Sequence, residues 1–70
     1  MEIRSTIGGR LIRILVEPGQ IVAAGRELAL IESMKMEIPL IAENVGVVRE
    51  IYFSPGEFVQ EDDVVMVLGA

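Results

Sequence analysis

Lys35 is the only lysine in a chain of 70 residues, and it stands between two of the four methionines in Glu32-Ser33-Met34-Lys35-Met36-Glu37. The chemistry open to it is that of a primary amine held where another protein can reach it. Apolar, strand-like runs flank the segment, Leu28 to Ile31 before it and Ile38 to Ala42 after it. The six polar or flexible residues between them therefore read as a hairpin tip. A tip holds its central side chain in open water, which suits an amine poorly to a core or a salt bridge and well to an encounter. An amine attacks a carboxyl carbon only as its free base, and the segment offers no histidine to take its proton. An enzyme that modifies it must remove the proton itself.

No other group offers a reaction. Ser5, Ser33 and Ser54 have no histidine to act as a base, and the chain has no cysteine nucleophile. The sequence therefore predicts a protein without catalytic residues of its own. Glu57, Glu61, Asp62 and Asp63 cluster after a Pro-Gly turn, but a calcium loop alternates its ligands around a glycine bend, so a solvated turn is expected here. With no cysteine and no histidine, neither a disulfide nor a zinc site can staple the chain, and stability must come from packing. A chain of this size buries only roughly 60% of its unfolded surface, and the 51% hydrophobic content supplies the core of one domain spanning residues 1–70.

Six basic against eleven acidic residues leave a net charge of −5, which opposes the counterion release that drives nucleic-acid binding, so neither DNA nor RNA is expected as a partner. Apolar runs such as Val64 to Leu68 fall far short of the roughly 20 residues of a membrane helix, and the first residues lack the apolar stretch of a signal peptide. No membrane association and a cytoplasmic location are expected.

The elements that must position the lysine follow in order. Met1 to Thr6 alternates weakly and suggests a short first strand, which Ile7-Gly8-Gly9 ends in a tight bend. Leu11 to Val16 reads as a strand closed by Glu17-Pro18-Gly19-Gln20, where proline presets φ and glycine supplies a positive φ, as in a type II turn. Ile21-Val22 begins a short strand, Ala23-Ala24-Gly25-Arg26 turns, and Glu27 to Glu32 runs up to the lysine hairpin. Ile38 to Ala42 returns, with the Pro39 nitrogen facing away from any ladder partner, and Glu43-Asn44-Val45-Gly46 turns again. Adjacent apolar residues at Leu11-Ile12 and Val47-Val48 mean either strands buried on both faces or bulges.

The second half repeats the first without a gap at an offset of 37 residues. Gly9 maps to Gly46, Ile14 to Ile51, Pro18-Gly19 to Pro55-Gly56, Val22 to Val59, Leu28 to Val65 and Leu30 to Val67. Two copies of the same strand-and-turn series imply two similar sheets about an approximate two-fold axis, and each copy is too small to bury its apolar face alone. The lysine hairpin joins the copies, and the chain ends belong near the opposite pole. No stretch shows sustained helical periodicity, so an all-β sandwich or flattened barrel is expected.

Glu-Ser-Met-Lys-Met-Glu and the two Pro-Gly-x-x-Val half-repeats together resemble the biotinyl/lipoyl attachment domain family across nearly the whole chain. The Met-Lys-Met centre is similar to the biotin-accepting members, lipoyl domains showing Asp-Lys-Ala more often. The resemblance implies a flattened β-barrel of two four-stranded antiparallel sheets with quasi-two-fold symmetry. It also implies biotin in amide linkage on Lys35, with Met34, Met36 and Glu32 read by the modifying biotin protein ligase. The carrier would act as a swinging arm between the biotin carboxylase and carboxyltransferase components of a carboxylase. Ser33 departs from the alanine commoner before Met-Lys-Met. The chain lacks the inserted thumb and the Ala/Pro-rich linker of many bacterial acetyl-CoA carboxylase carrier subunits, so a small free-standing carrier is the better match.

Both biotin and lipoate end in a carboxylic acid that a lysine amine can hold as an uncharged amide, and tethering replaces diffusion by a high effective concentration at two successive active sites. Lipoate on the same lysine is one alternative, and an unmodified β-barrel interaction module is another. Methionine pairs elsewhere are commonly core filler. Glu32 and Glu37 would face each other across a two-residue Met-Lys turn and repel mildly; ligase recognition and solvated hairpin charge are both open to them. Without Asn-Gly, positive φ at Met34 and Lys35 would be strain tolerated for function.

Overall fold

Turn chemistry divides the chain. Four tight turns close with a hydrogen bond from the fourth residue's N–H to the first residue's carbonyl: Gln20 to Glu17, Arg26 to Ala23, Glu57 to Ser54 and Asp63 to Gln60, all at 3.0–3.1 Å. Their third residues have positive φ: 91° at Gly19, 89° at Gly25, 97° at Gly56 and 72° at Asp62. The Pro-Gly turns are thus type II, as expected. Asp62 occupies the place that Gly25 fills in the first half, a conformation that aspartate tolerates better than most residues.

The computed structural model describes residues 1–70. Eight strands separate the turns: β1 (Glu2–Arg4), β2 (Gly9–Ile14), β3 (Ile21–Val22), β4 (Glu27–Ser33), β5 (Met36–Ile41), β6 (Gly46–Ile51), β7 (Phe58–Val59) and β8 (Val64–Gly69). There is no helix. Two antiparallel four-stranded sheets run in the orders β1-β8-β6-β3 and β5-β4-β2-β7. The 37-residue offset carries β2 onto β6, β3 onto β7 and β4 onto β8, and it exchanges the two sheet orders. Strand ends differ slightly from expectation: β2 starts at Gly9 and stops at Ile14, and β5 stops at Ile41.

The sheets do not each belong to one half-repeat. β3 pairs with β6 of the second half, and β7 pairs with β2 of the first. The Pro-Gly turns lock this exchange: Gly19 N–H donates to the Val48 carbonyl and Gly56 N–H to the Leu11 carbonyl, each at 2.7 Å. A half-repeat alone would leave these buried strand groups without partners, which is why neither half can stand by itself.

Of the two adjacent apolar pairs, Leu11-Ile12 contains a bulge, whereas Val47-Val48 pairs in unbroken register with Gly69 and Leu68. The β2–β4 register passes from Leu11↔Ile31 to Arg13↔Leu30, leaving Ile12 extra, and the β6–β8 register skips Arg49 at the equivalent place. Two further skips leave Leu28 extra against β5 and Val65 extra against β1. At these last two bulges consecutive residues turn inward, so Leu28 with Ala29 and Val65 with Met66 are all fully buried. The core between the sheets gathers Leu11, Val22, Leu28, Ile31, Val48, Val59, Met66 and Leu68 among others. Ser5, the equivalent of the buried Ala42, is the one buried polar residue; its hydroxyl donates to the Ile7 carbonyl at 2.6 Å.

The chain ends occupy the position that symmetry relates to the lysine hairpin. Glu2 pairs with Val67, and the terminal ammonium of Met1 donates to the Leu68 carbonyl at 2.6 Å.

Candidate functional site

β4 and β5 form one hairpin whose register closes with Ile31↔Ile38, Glu32↔Glu37 and Ser33↔Met36. Only Met34 and Lys35 lie beyond the last pair, so the tip holds two residues rather than the six suggested by the apolar runs. Both have positive φ, 53° and 66°, the pair of conformations that defines a type I′ turn. That turn matches the right-handed twist of the strands. For two side chains with a β-carbon it costs on the order of 1–2 kcal/mol each.

Lys35 is exposed and takes part in neither of the chain's two ion pairs, Arg4 with Glu2 and Arg10 with Glu32. Met34 is 90% exposed and Met36 64%. Met36 shares the strand parity of Ile38 and the buried Leu40, but it sits past the end of the core. These methionines are therefore not core filler, and an amine flanked by two flexible thioethers projects from a rigid stem.

The stem is held from behind by β2. Gly9 packs so closely on β4 that a β-carbon there would collide with the Glu32 carbonyl oxygen and approach Ile31 Cγ2 to 2.9 Å. No side chain fits. The next residue, Arg10, lies opposite Glu32 on β4 and Phe58 on β7. Its guanidinium stands 3.4 Å from the Glu32 carboxylate. Glu32 and Glu37 do face each other, as expected, yet a cation one strand away offsets the repulsion.

Sequence reasoning brought Lys35, Met34, Met36 and Glu32 to one place but missed Arg10 and Gly9. The β2–β4 register that would have disclosed them contains the bulge at Ile12 and is not marked by any turn motif. The acidic cluster is spread over two turns on either side of β7: the Glu57 carboxylate accepts from Ser54 N–H at 2.6 Å and that of Asp63 from Gln60 N–H at 2.8 Å. No group of three or more potential metal ligands is assembled.

Over residues 1–68 the chain matches the family model described as "Biotin-requiring enzyme" for biotin/lipoyl domains. The chain belongs to the biotin/lipoyl attachment family. It is 40% identical over 68 residues to the biotin/lipoyl attachment protein of Bacillus subtilis (strain 168), covering 97% of this chain and 93% of that protein. To the biotinylated protein TB7.3 homolog of Mycobacterium leprae (strain TN) it is 34% identical, covering 96% and 94%. Among solved structures, Kluyveromyces lactis urea carboxylase superposes with a TM-score of 0.93 at 31% identity, over 97% of this chain and 6% of that one. The attachment domain thus corresponds to nearly all of the two bacterial proteins and to one small part of the carboxylase. Its two four-stranded sheets and quasi-two-fold symmetry are those the resemblance implied.

Proposed function

We propose that this domain is a biotin carboxyl carrier, modified on Lys35 by a biotin protein ligase and serving the biotin carboxylase and carboxyltransferase components of a carboxylase as a swinging arm. The observation that carries this reading is a lone lysine, free of ion pairs, at the apex of a strained two-residue turn between exposed methionines. The family match and the similarity to a carboxylase support biotin as the group carried. When bound, biotin supplies the carrier for a carboxyl group.

The residues of the hairpin tip fit such a group. Attachment joins Lys35 Nζ to the carboxyl carbon as an activating group leaves and the amine's protons pass to the ligase side, since no base of this chain stands at the tip. Met34 and Met36 present apolar surface to the ligase, and Glu32, paired with Arg10, presents a carboxylate. The turn keeps the amine clear of the barrel, and the barrel supplies position rather than catalysis. A cytoplasmic setting belongs to the same proposal.

Intact-mass spectrometry of the protein from the cells that make it, and after co-expression with a biotin ligase or a lipoate ligase, tests the proposal. A biotin-sized increment on the parent, lost in Lys35→Arg, is expected, because a guanidinium is a poor nucleophile. Only a lipoyl increment on the parent, or biotin on Lys35→Arg, overturns it.

A further inference from the structure

The two half-repeats grip each other far more extensively than the chain joins them. Dividing the chain at the lysine turn leaves β1 to β4 on one side and β5 to β8 on the other, and four of the six strand pairs then run between the sides: β1 with β8, β2 with β7, β3 with β6 and β4 with β5. Only β2 with β4 and β6 with β8 lie within a half. Hydrogen bonds outside the ladders follow the same plan, Gly25 N–H donating to the Ala42 carbonyl at 2.7 Å and Ser5 N–H to that of Asp63 at 2.9 Å. Against all of these, the covalent link is Met34 and Lys35 alone, the two residues left outside the register.

The turn is not what holds β5 on β4. The 37-residue offset carries that pair onto β8 and β1 position by position: Leu30↔Pro39 onto Val67↔Glu2, Ala29↔Leu40 onto Met66↔Ile3, and Glu27↔Ile41 onto Val64↔Arg4, the bulge included. No turn joins β8 to β1. The same pairing therefore forms between segments that only the fold brings together, and β4 can take its β5 from another molecule. The two link residues meanwhile hold positive φ, 53° and 66°, with side chains that bear a β-carbon. A straight link relieves both, since extended backbone is open to any residue. Short strained links between interdependent parts are where chains exchange identical elements.

We propose that two copies of this chain exchange half-repeats about Met34 and Lys35, residues 1–33 of one copy closing on residues 36–70 of the other to build two barrels. Every strand pair is remade, and both ion pairs lie within residues 1–33 and are untouched. What the exchange removes is the turn. The link runs straight from one barrel into the next, and Lys35 no longer stands at a tip, so the dimer is a form of the chain that a ligase reading the turn does not modify. That consequence rests on the biotin carrier reading; the exchange itself does not. Association costs the freedom of a second molecule and brings together two copies of net charge −5, so concentration and salt both favour the dimer.

The test unfolds the full chain in guanidinium, refolds it at micromolar to millimolar concentrations, and reads molar mass by size-exclusion chromatography with light scattering. A species of twice the monomer mass is expected, its share rising with the refolding concentration. It should persist on dilution, because return to the monomer requires both barrels to open. Lys35→Gly, which takes positive φ freely in the monomer, is expected to raise the concentration needed for half dimer by about tenfold or more. Monomer at every concentration, a dimer that falls apart at once on dilution, or Lys35→Gly dimerising like the parent overturns the exchange. The separated fractions are then offered to a biotin ligase and weighed by mass spectrometry. Biotin on the monomer and none on the dimer is expected, and equal biotin on both overturns the loss of the site. A monomer that takes no biotin overturns the carrier reading, and the consequence at Lys35 with it, while the exchange is read from molar mass alone.

Discussion

Arg10 and Glu32 face each other across β2 and β4 with guanidinium and carboxylate 3.4 Å apart, and Glu32 in turn faces Glu37 across β4 and β5. One cation thus offsets a pair of opposed carboxylates just behind the lysine turn. The side chains are 62% and 42% exposed, so water screens the pair. Arg10→Gln should lower stability by about 0.2–1 kcal/mol. Adding Glu37→Gln to that variant should recover part of the loss by removing the repulsion. Urea denaturation at low and high salt checks this, the two variants converging as salt rises; identical behaviour of all three proteins at low salt would show that Arg10, Glu32 and Glu37 are not coupled.

Gly9→Ala should be far more damaging than its position at a strand end suggests. The new methyl would collide with the Glu32 carbonyl and crowd Ile31, both part of the hairpin stem. A loss of about 1–3 kcal/mol is expected, with slower modification of Lys35 if the stem shifts. Gly8→Ala meets only ordinary contacts, none nearer than 3.8 Å, and serves as the comparison. Equal midpoints for the two variants in chemical denaturation would contradict the close approach.

The turn stores strain where the amine must stand. Lys35 has φ of 66° and Met34 of 53°, so Lys35→Gly should raise stability by about 1 kcal/mol while removing the acceptor altogether. Differential scanning calorimetry would read this as an upward shift in Tm. A fall in Tm would mean that the lysine stem packs favourably enough to outweigh the strain.

Met34→Ala and Met36→Ala should leave Tm near that of the parent, because side chains 90% and 64% exposed contribute little to a core they do not enter. The rate of biotinylation, or the ratio of biotin to lipoate attached under competing ligases, should change. Parent-like rates and ratios in both variants would remove the methionines from recognition.

Local chemistry makes part of the fold and of the site legible in the chain alone. The Pro-Gly turns announce their positive φ because only glycine takes it freely, and the gapless 37-residue repeat announces the two-fold axis. A sole lysine between two apolar runs announces the tip, and the family motif around it is contiguous, so it survives without knowledge of the fold. Tertiary structure decided what depends on residues distant in the chain. The exchange of β3 and β7 between halves, the Arg10–Glu32 contact across 22 positions and the pairing of Arg10 with Phe58 all follow from sheet order. The length of the tip also waited on the structure, since Glu32, Ser33, Met36 and Glu37 are polar or flexible by type yet extended by pairing. The choice at Leu11-Ile12 waited too, because a bulge is a mismatch between two strands, and a mismatch exists only once the second strand is in place.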